Sequence, residues 1–129
     1  MPYITYELSR WSDPQARQFA QNLARQWHAS AEQLGWYDYF YGSFYMIPRS
    51  TAHAEADALR WLSQNGVKNY YGEDNPNFGE GPKDWVQSKL LWNPNQDVGA
   101  LIDDWCNHAV GAKAAPSLEK YYALWEKFW

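Results

Sequence analysis

Residues 36–41 read Trp-Tyr-Asp-Tyr-Phe-Tyr, aromatic almost throughout, without a helical period, and bounded by Gly35 and Gly42. A short run of this kind between glycines reads as a strand. What flanks it decides the fold class. Upstream, Ala16, Phe19, Ala20, Leu23, Ala24, Trp27, Ala31 and Leu34 follow the i, i+3, i+4, i+7 spacing of an amphipathic helix. Ser12 or Asp13 is placed to cap that helix, Pro14 suits its first turn, and Gly35 ends it. Before it, YITYEL (3–8) is short, β-branched and aromatic, the composition of another strand.

Downstream, the loop GSFYMIPRS leads to Ser50, a candidate cap for a helix reaching about Gln64, with Ala54, Ala58, Trp61 and Leu62 facing inward. Asn65-Gly66 stops it, and VKNYYG (67–72) is a third strand. EDNPNFGEGP (73–82) is a loop by composition. Three helices follow: one from near Pro82 to about Trp92, one carrying Val98, Leu101, Ile102, Trp105, Cys106 and Ala109 and ending at Gly111, and one carrying Leu118, Tyr121, Tyr122, Trp125 and Trp129. The order β-α-β-α-β-α-α-α implies an α/β fold with about three parallel strands, right-handed crossovers and a helical C-terminal end. Residues 1–129 read as one domain, with βα units in 1–80 and closing helices in 81–129. Three parallel strands leave two raw sheet edges, so the expectation is a partial (β/α) barrel-like unit whose edges are covered by the last helices, by another copy in a homo-oligomer, or by an upstream barrel segment. A complete barrel takes roughly 250 residues.

Composition narrows the function classes. The chain has 129 residues and a net charge of −4, with its 11 Lys and Arg scattered, which argues against a nucleic-acid partner. No run approaches the ~20 apolar residues of a membrane span. The N-terminus shows no charged region followed by an apolar one, so no signal peptide is visible, and localisation stays open, with a periplasmic or extracellular setting expected if the chain is truncated. Cys106 is the single cysteine, which excludes an intramolecular disulfide. Trp, Tyr and Phe together make 19% of the chain, enough to supply a core and also a flat-faced ligand surface.

In α/β architectures ligands gather at the carboxyl ends of strands. Each strand end here offers a carboxylate: Glu7 after YITY, Asp38 within WYDYFY, and Glu73 with Asp74 after VKNYYG. Strands lie about 4.8 Å apart, so these carboxyls could stand roughly 5–10 Å apart, the range in which glycosidases pair an acid with a base or nucleophile. Glu73, Asp38 and Glu7 are therefore the catalytic candidates, each with a structural alternative as a cap or amide acceptor. One residue of register would turn Asp38 away. Trp36, Tyr37, Tyr39, Tyr41 and Phe78 are the candidate sugar platform, with Asp74 beside them. Arg49 offers a planar fork for an anionic sugar substituent, or a loop salt bridge. His28, His53 and His108 show no metal-ligand spacing with one another or with Cys106, and no P-loop, G-x-G-x-x-G or G-x-S-x-G occurs, so no metal or cofactor is implied.

Four stretches carry a resemblance: GWYDYFYGSFYMIPR (35–49), NGVKNYYGEDNPNFGEGPKDW (65–85), SKLLWNPNQDVGALIDDWC (88–106) and VGAKAAPSLEKYYALWEKFW (110–129). They resemble a large bacterial family of domains of unknown function, found mostly in long carbohydrate-active proteins. The first 33 residues match less clearly. The resemblance implies the last βα units of a glycoside-hydrolase-like (β/α)₈ barrel, related in plan to α-glucuronidases and β-hexosaminidases, with Glu73 at the end of the final strand. It carries no reaction with it. A barrel enzyme draws catalytic residues from several strands, and the upstream strands are absent from this sequence. The expectation is thus the C-terminal part of a glycoside hydrolase acting on or binding carbohydrate, or else a non-catalytic carbohydrate-binding or oligomeric interaction module.

Overall fold

The computed structural model describes residues 1–40, 48–74 and 80–129. Three strands, β1 (Tyr3–Thr5), β2 (Leu34–Tyr39) and β3 (Val67–Glu73), form one parallel sheet in the order β1-β2-β3. Five helices follow the plan of the sequence: α1 (Pro14–His28), α2 (Ala52–Gln64), α3 (Lys83–Trp92), α4 (Val98–Val110) and α5 (Ala115–Phe128), with a 3-10 turn at Leu8–Ser12. The chain is a mixed α/β fold with a helical C-terminal end, as the alternation of elements implies.

Local chemistry sets the boundaries. Asp13 caps α1, its carboxylate accepting from the amides of Gln15 at 2.8 Å and Ala16 at 3.4 Å, with Pro14 as the first helical residue. Asp97 caps α4 by accepting from Ala100 N at 3.0 Å. Gly66 and Gly111, with φ of 85° and 78°, end α2 and α4 in the left-handed region that glycine adopts without strain.

Four expectations shift. The first strand, expected over 3–8, stops at Thr5, because the Leu8 amide turns inward to Asp38 Oδ1 at 3.2 Å and the chain coils into the 3-10 turn. Helix α1 ends at His28, not at Gly35; Leu34 continues the helical period but opens β2, fully buried, its amide donating to Gly66 O at 3.0 Å. Strand β2 accordingly covers 34–39 instead of 36–41, and α2 begins at Ala52 with Thr51, not Ser50, at its N-cap.

A sequential order of parallel strands with right-handed crossovers puts α1 and α2 on the same face of the sheet. Ile4, Leu34, Trp36 and Val67 point to that face and pack with Leu59, Leu62, Val86 and Leu90. Trp36 is the largest fully buried side chain, and its indole N–H donates to Tyr6 O at 2.9 Å. Tyr3, Tyr39 and Tyr71, all exposed, share the other face. Tyr3 lies flat over Gly35, where an added Cβ would come within 2.5 Å of its ring. The last helices pack back on the same body: the Tyr122 ring rests on Gly81, whose φ of 67° and absent side chain make room for it. Removing the Trp36 ring strips the sheet of its main packing partner. Trp36→Ala is expected to cost about 3–5 kcal/mol, read from the urea midpoint; a loss below about 1 kcal/mol would contradict this description of the core.

Candidate functional site

The alternation of side chains along β2 divides the strand-end residues into two layers. Tyr37 and Tyr39 stand on the open face, whereas Trp36 and Asp38 stand on the helical face. The expected group is therefore not brought together: Trp36 is core, and Asp38, 1% exposed, lies beneath the sheet from the tyrosines. Tyr41 and Phe78 lie outside the described residues.

On the open face, register sets Tyr37 opposite Tyr71 and Tyr39 opposite Glu73. The Tyr37 and Tyr71 rings stack with centroids 4.9 Å apart and 23° between planes, and Tyr39 meets Tyr37 edge-on at 5.4 Å. The Tyr37 hydroxyl donates to Glu73 Oε1, and this bond to a carboxylate pushes the phenol up to about 12. Tyr71 was not among the residues the sequence singled out. Its place in VKNYYG, one residue beyond Tyr70 on an alternating strand, was the available signal.

On the helical face, Asp38 Oδ2 accepts from the Tyr70 hydroxyl at 2.8 Å, and Tyr70 in turn accepts from Gln87 Nε2 at 2.8 Å. Burial pushes Asp38 up to about 6, against the pull of the bonds from Tyr70 and Leu8. Burial pushes the Tyr70 phenol upward too, with Asp38 adding to it. Beside them Glu55 is buried to 1% exposure and accepts from the Thr51 hydroxyl; burial raises it to about 8. Lys83 is buried as well, its ammonium 2.5 Å from Glu80 Oε2, 3.0 Å from Phe40 O and 4.6 Å above the Phe40 ring. Sequence reasoning passed over Glu55 and Lys83, although a helical wheel places both on buried stripes: Ala52, Glu55, Ala56 and Leu59 on α2, and Lys83, Val86, Gln87 and Leu90 on α3.

The rim holds the remaining candidates. Glu7 Oε2 lies 3.6 Å from Arg49 NH2, which also bonds Ser9 Oγ at 2.7 Å. A cavity of about 310 Å³ opens here, lined by Glu7, Ser9, Arg10, Arg49, Thr51 and Trp129. Glu7 and Tyr39 also share a smaller hollow with Thr5, Tyr6 and Arg10. Asp74 is exposed and hydrogen-bonds the side chain of Asp84, whose carboxyl burial and this neighbour raise to about 6. Among the described residues no cluster of His, Cys, Asp and Glu is arranged to hold a metal ion, and no helix is long and apolar enough to cross a membrane.

What the fold and these layers define is a parallel α/β unit with one helical face, one open aromatic face and carboxylates at its strand ends. The chain belongs to the family described as a domain of unknown function, DUF4838, whose model matches residues 7–123. No curated protein and no solved structure matches it.

The buried carboxyls make stability depend on pH in an unusual sense. Asp38 and Glu55 have folded values above their ordinary ones, so the fold favours their protonated forms. That contribution is complete in acid below the ordinary carboxylate range, and is lost as pH rises through about 6 for Asp38 and about 8 for Glu55. A tenfold change in proton affinity corresponds to about 1.4 kcal/mol, so the loss at each group is on the order of a few kcal/mol. The Tm should therefore fall between about pH 5 and pH 8.5, and Glu55→Gln, which stays neutral, should flatten the upper part of that fall. A Tm that rises with pH over this range would refute the assignment.

Proposed function

We propose that this domain contributes a carbohydrate-binding surface, as the C-terminal part of a glycoside-hydrolase-like barrel. The observation that carries the reading is the open sheet face on which Tyr37, Tyr39 and Tyr71 pack as one aromatic cluster, Tyr71 stacked on Tyr37 and Tyr39 edge-on to it, with Glu73 bonded to Tyr37. Exposed tyrosine rings beside a carboxylate suit the apolar C–H groups and hydroxyls of a sugar. Sequential parallel strands with both crossover helices on one face are the geometry from which a (β/α) barrel is built, its other face turned to the barrel interior. That supports the barrel reading, in which Glu73 and Glu7 stand at the carboxyl ends of strands flanking β2.

Two strand spacings separate β1 from β3, about 9.6 Å at the backbone, which flexible glutamate side chains narrow toward the separation of a paired-carboxylate site. In this reading Glu73 and Glu7 are the carboxylates that meet the sugar. Tyr37 holds Glu73 in place through its hydroxyl. Asp38, with Tyr70 and Gln87, braces the strand ends from below. Arg49 lies beside Glu7 at the rim.

Titration of oligosaccharides by calorimetry tests this. Tyr71→Ala should weaken binding about three- to tenfold, the loss expected for one aromatic contact, and Glu73→Gln should abolish turnover or weaken binding. Unchanged binding and turnover in Glu73→Gln would sink the reading.

A second reading is favoured by the same uncovered face. Parallel sheets are normally covered on both sides, and a second copy of the chain would bury the tyrosines in an oligomer with no enzymatic role. Sedimentation equilibrium decides it: self-association lost in a Tyr71→Lys variant supports this reading, and a monodisperse wild-type monomer removes it.

A further inference from the structure

The last turns of α5 are fastened to the body of the domain by an arrangement that the sugar reading does not use. α2 has no side-chain cap of its own, because the Thr51 hydroxyl is directed to Glu55. The carboxylate of Glu126, on α5, does that work from a distance. Its Oε1 accepts from the His53 backbone amide at 2.8 Å, and its Oε2 lies 2.7 Å from His53 Nδ1. Three residues on, the Trp129 indole N–H donates to Pro48 O at 2.7 Å, and its ring lies 5.9 Å from the Arg49 guanidinium carbon. Between these two fastenings and the 3-10 turn is a cavity of about 420 Å³, walled by Trp11, Arg17, Thr51, His53, Glu126 and Trp129. Trp129 also walls the neighbouring cavity that contains Glu7 and Arg49. One turn earlier on α5, Tyr122 is buried and seated on Gly81, so the first half of the helix is anchored independently of these contacts.

We propose that residues 123–129 form a pH-sensitive strap, hinged at Tyr122, closed by Glu126 on the N-terminus of α2 and by Trp129 on Pro48, which controls access to the two cavities beside the 3-10 turn.

The electrostatics fix the direction. A helix N-terminus repels a cation and attracts an anion, so a protonated His53, the second residue of α2, depends on Glu126 for compensation. The bond to Glu126 raises His53, with burial opposing it. The other charges around it are Asp57, which raises it further, and Arg60, which opposes, both on α2. Arg17 of α1 and Glu126 of α5 share its cavity, and Arg49 and Asp13 line the adjacent one. Because His53 is held above its ordinary value while the strap is closed, closure is strongest where the imidazole is charged and weakens as pH rises past its titration. The backbone bond from His53 to Glu126 survives deprotonation, so the strap loosens without the domain unfolding. One of the two cavities is lined by Glu7, which the sugar reading uses, but the strap rests on contacts outside that reading and is read without any ligand.

Hydrogen exchange of the whole chain, compared at about pH 5.5 and about pH 8.5 after correction for intrinsic rates, provides the test. The expected result is that exchange of the amides in 123–129 speeds up at the higher pH about fivefold more than that of 115–122, the scale of losing one charge-assisted bond, with 115–122 following only the overall stability of the domain. His53→Ala should exchange fast in 123–129 at both values, and Glu126→Gln, which keeps an acceptor for the His53 amide, should lose the pH dependence. Equal protection of 123–129 at both pH values, an excess pH dependence of 123–129 over 115–122 that persists in His53→Ala, or a loss of protection in 123–129 no greater than in 115–122 would each overturn the proposal.

Discussion

The central position of β2 constrains everything else in this domain. It pairs in parallel with β1 over Gly35–Tyr37 and with β3 over Leu34–Tyr39, with one irregularity between Leu34 and Gly35. Its period of two then assigns each side chain to one face or the other. Leu34, Trp36 and Asp38 must be accommodated among helices, and Gly35, Tyr37 and Tyr39 must lie on the uncovered side. The flat seat of Tyr3 over Gly35 and the stack of Tyr37 on Tyr71 are consequences of that assignment. So is the separation of the acidic residues into a sealed layer and an open one.

The sealed layer is costly. Three buried acids, Asp38, Glu55 and Glu80, share the helical face with Lys83. A buried charge without compensation is far more destabilising than an unpaired neutral group. The domain answers in two ways. Asp38 and Glu55 drift toward neutrality and take hydroxyl donors, Tyr70 and Thr51. Glu80 and Lys83 neutralise each other, and the ammonium also reaches Phe40 O. Asp38 gains a structural role from this: one carboxyl joins the turn after β1, through Leu8, to β3, through Tyr70, and onward to α3 through Gln87.

Element order and type were legible in the sequence because they rest on local signals: Pro14 behind Asp13, Asn65-Gly66, the stripe ending at Gly111. Boundaries were less so where two periodicities agree over a few residues. Leu34 satisfies the helical spacing of α1 and the alternation of β2 alike, and only its pairing with Val67 chooses between them. The candidate site was legible as a set of strand-end residues, but not as two layers. Whether Asp38 or Tyr37 faces the helices depends on strand register, a long-range property that no window of sequence contains. Glu55 and Lys83 were overlooked for a different reason: a charged residue on an apolar stripe is ordinarily read as facing water, and the partners that permit their burial lie in other elements. Glu126 is the extreme case, a helix cap supplied from 73 residues away.

The division between faces also bears on how such a domain can change over time. Tyr37, Tyr39 and Tyr71 contribute little to the buried layer, and Trp36, Asp38 and Tyr70 contribute little to the open one, although the two sets alternate along the same strands. Substitutions can accumulate on one set while the other is left intact. The same scaffold can therefore acquire new surface chemistry without being refolded, and a library varied only at the outward tyrosines explores binding while leaving the architecture largely unburdened.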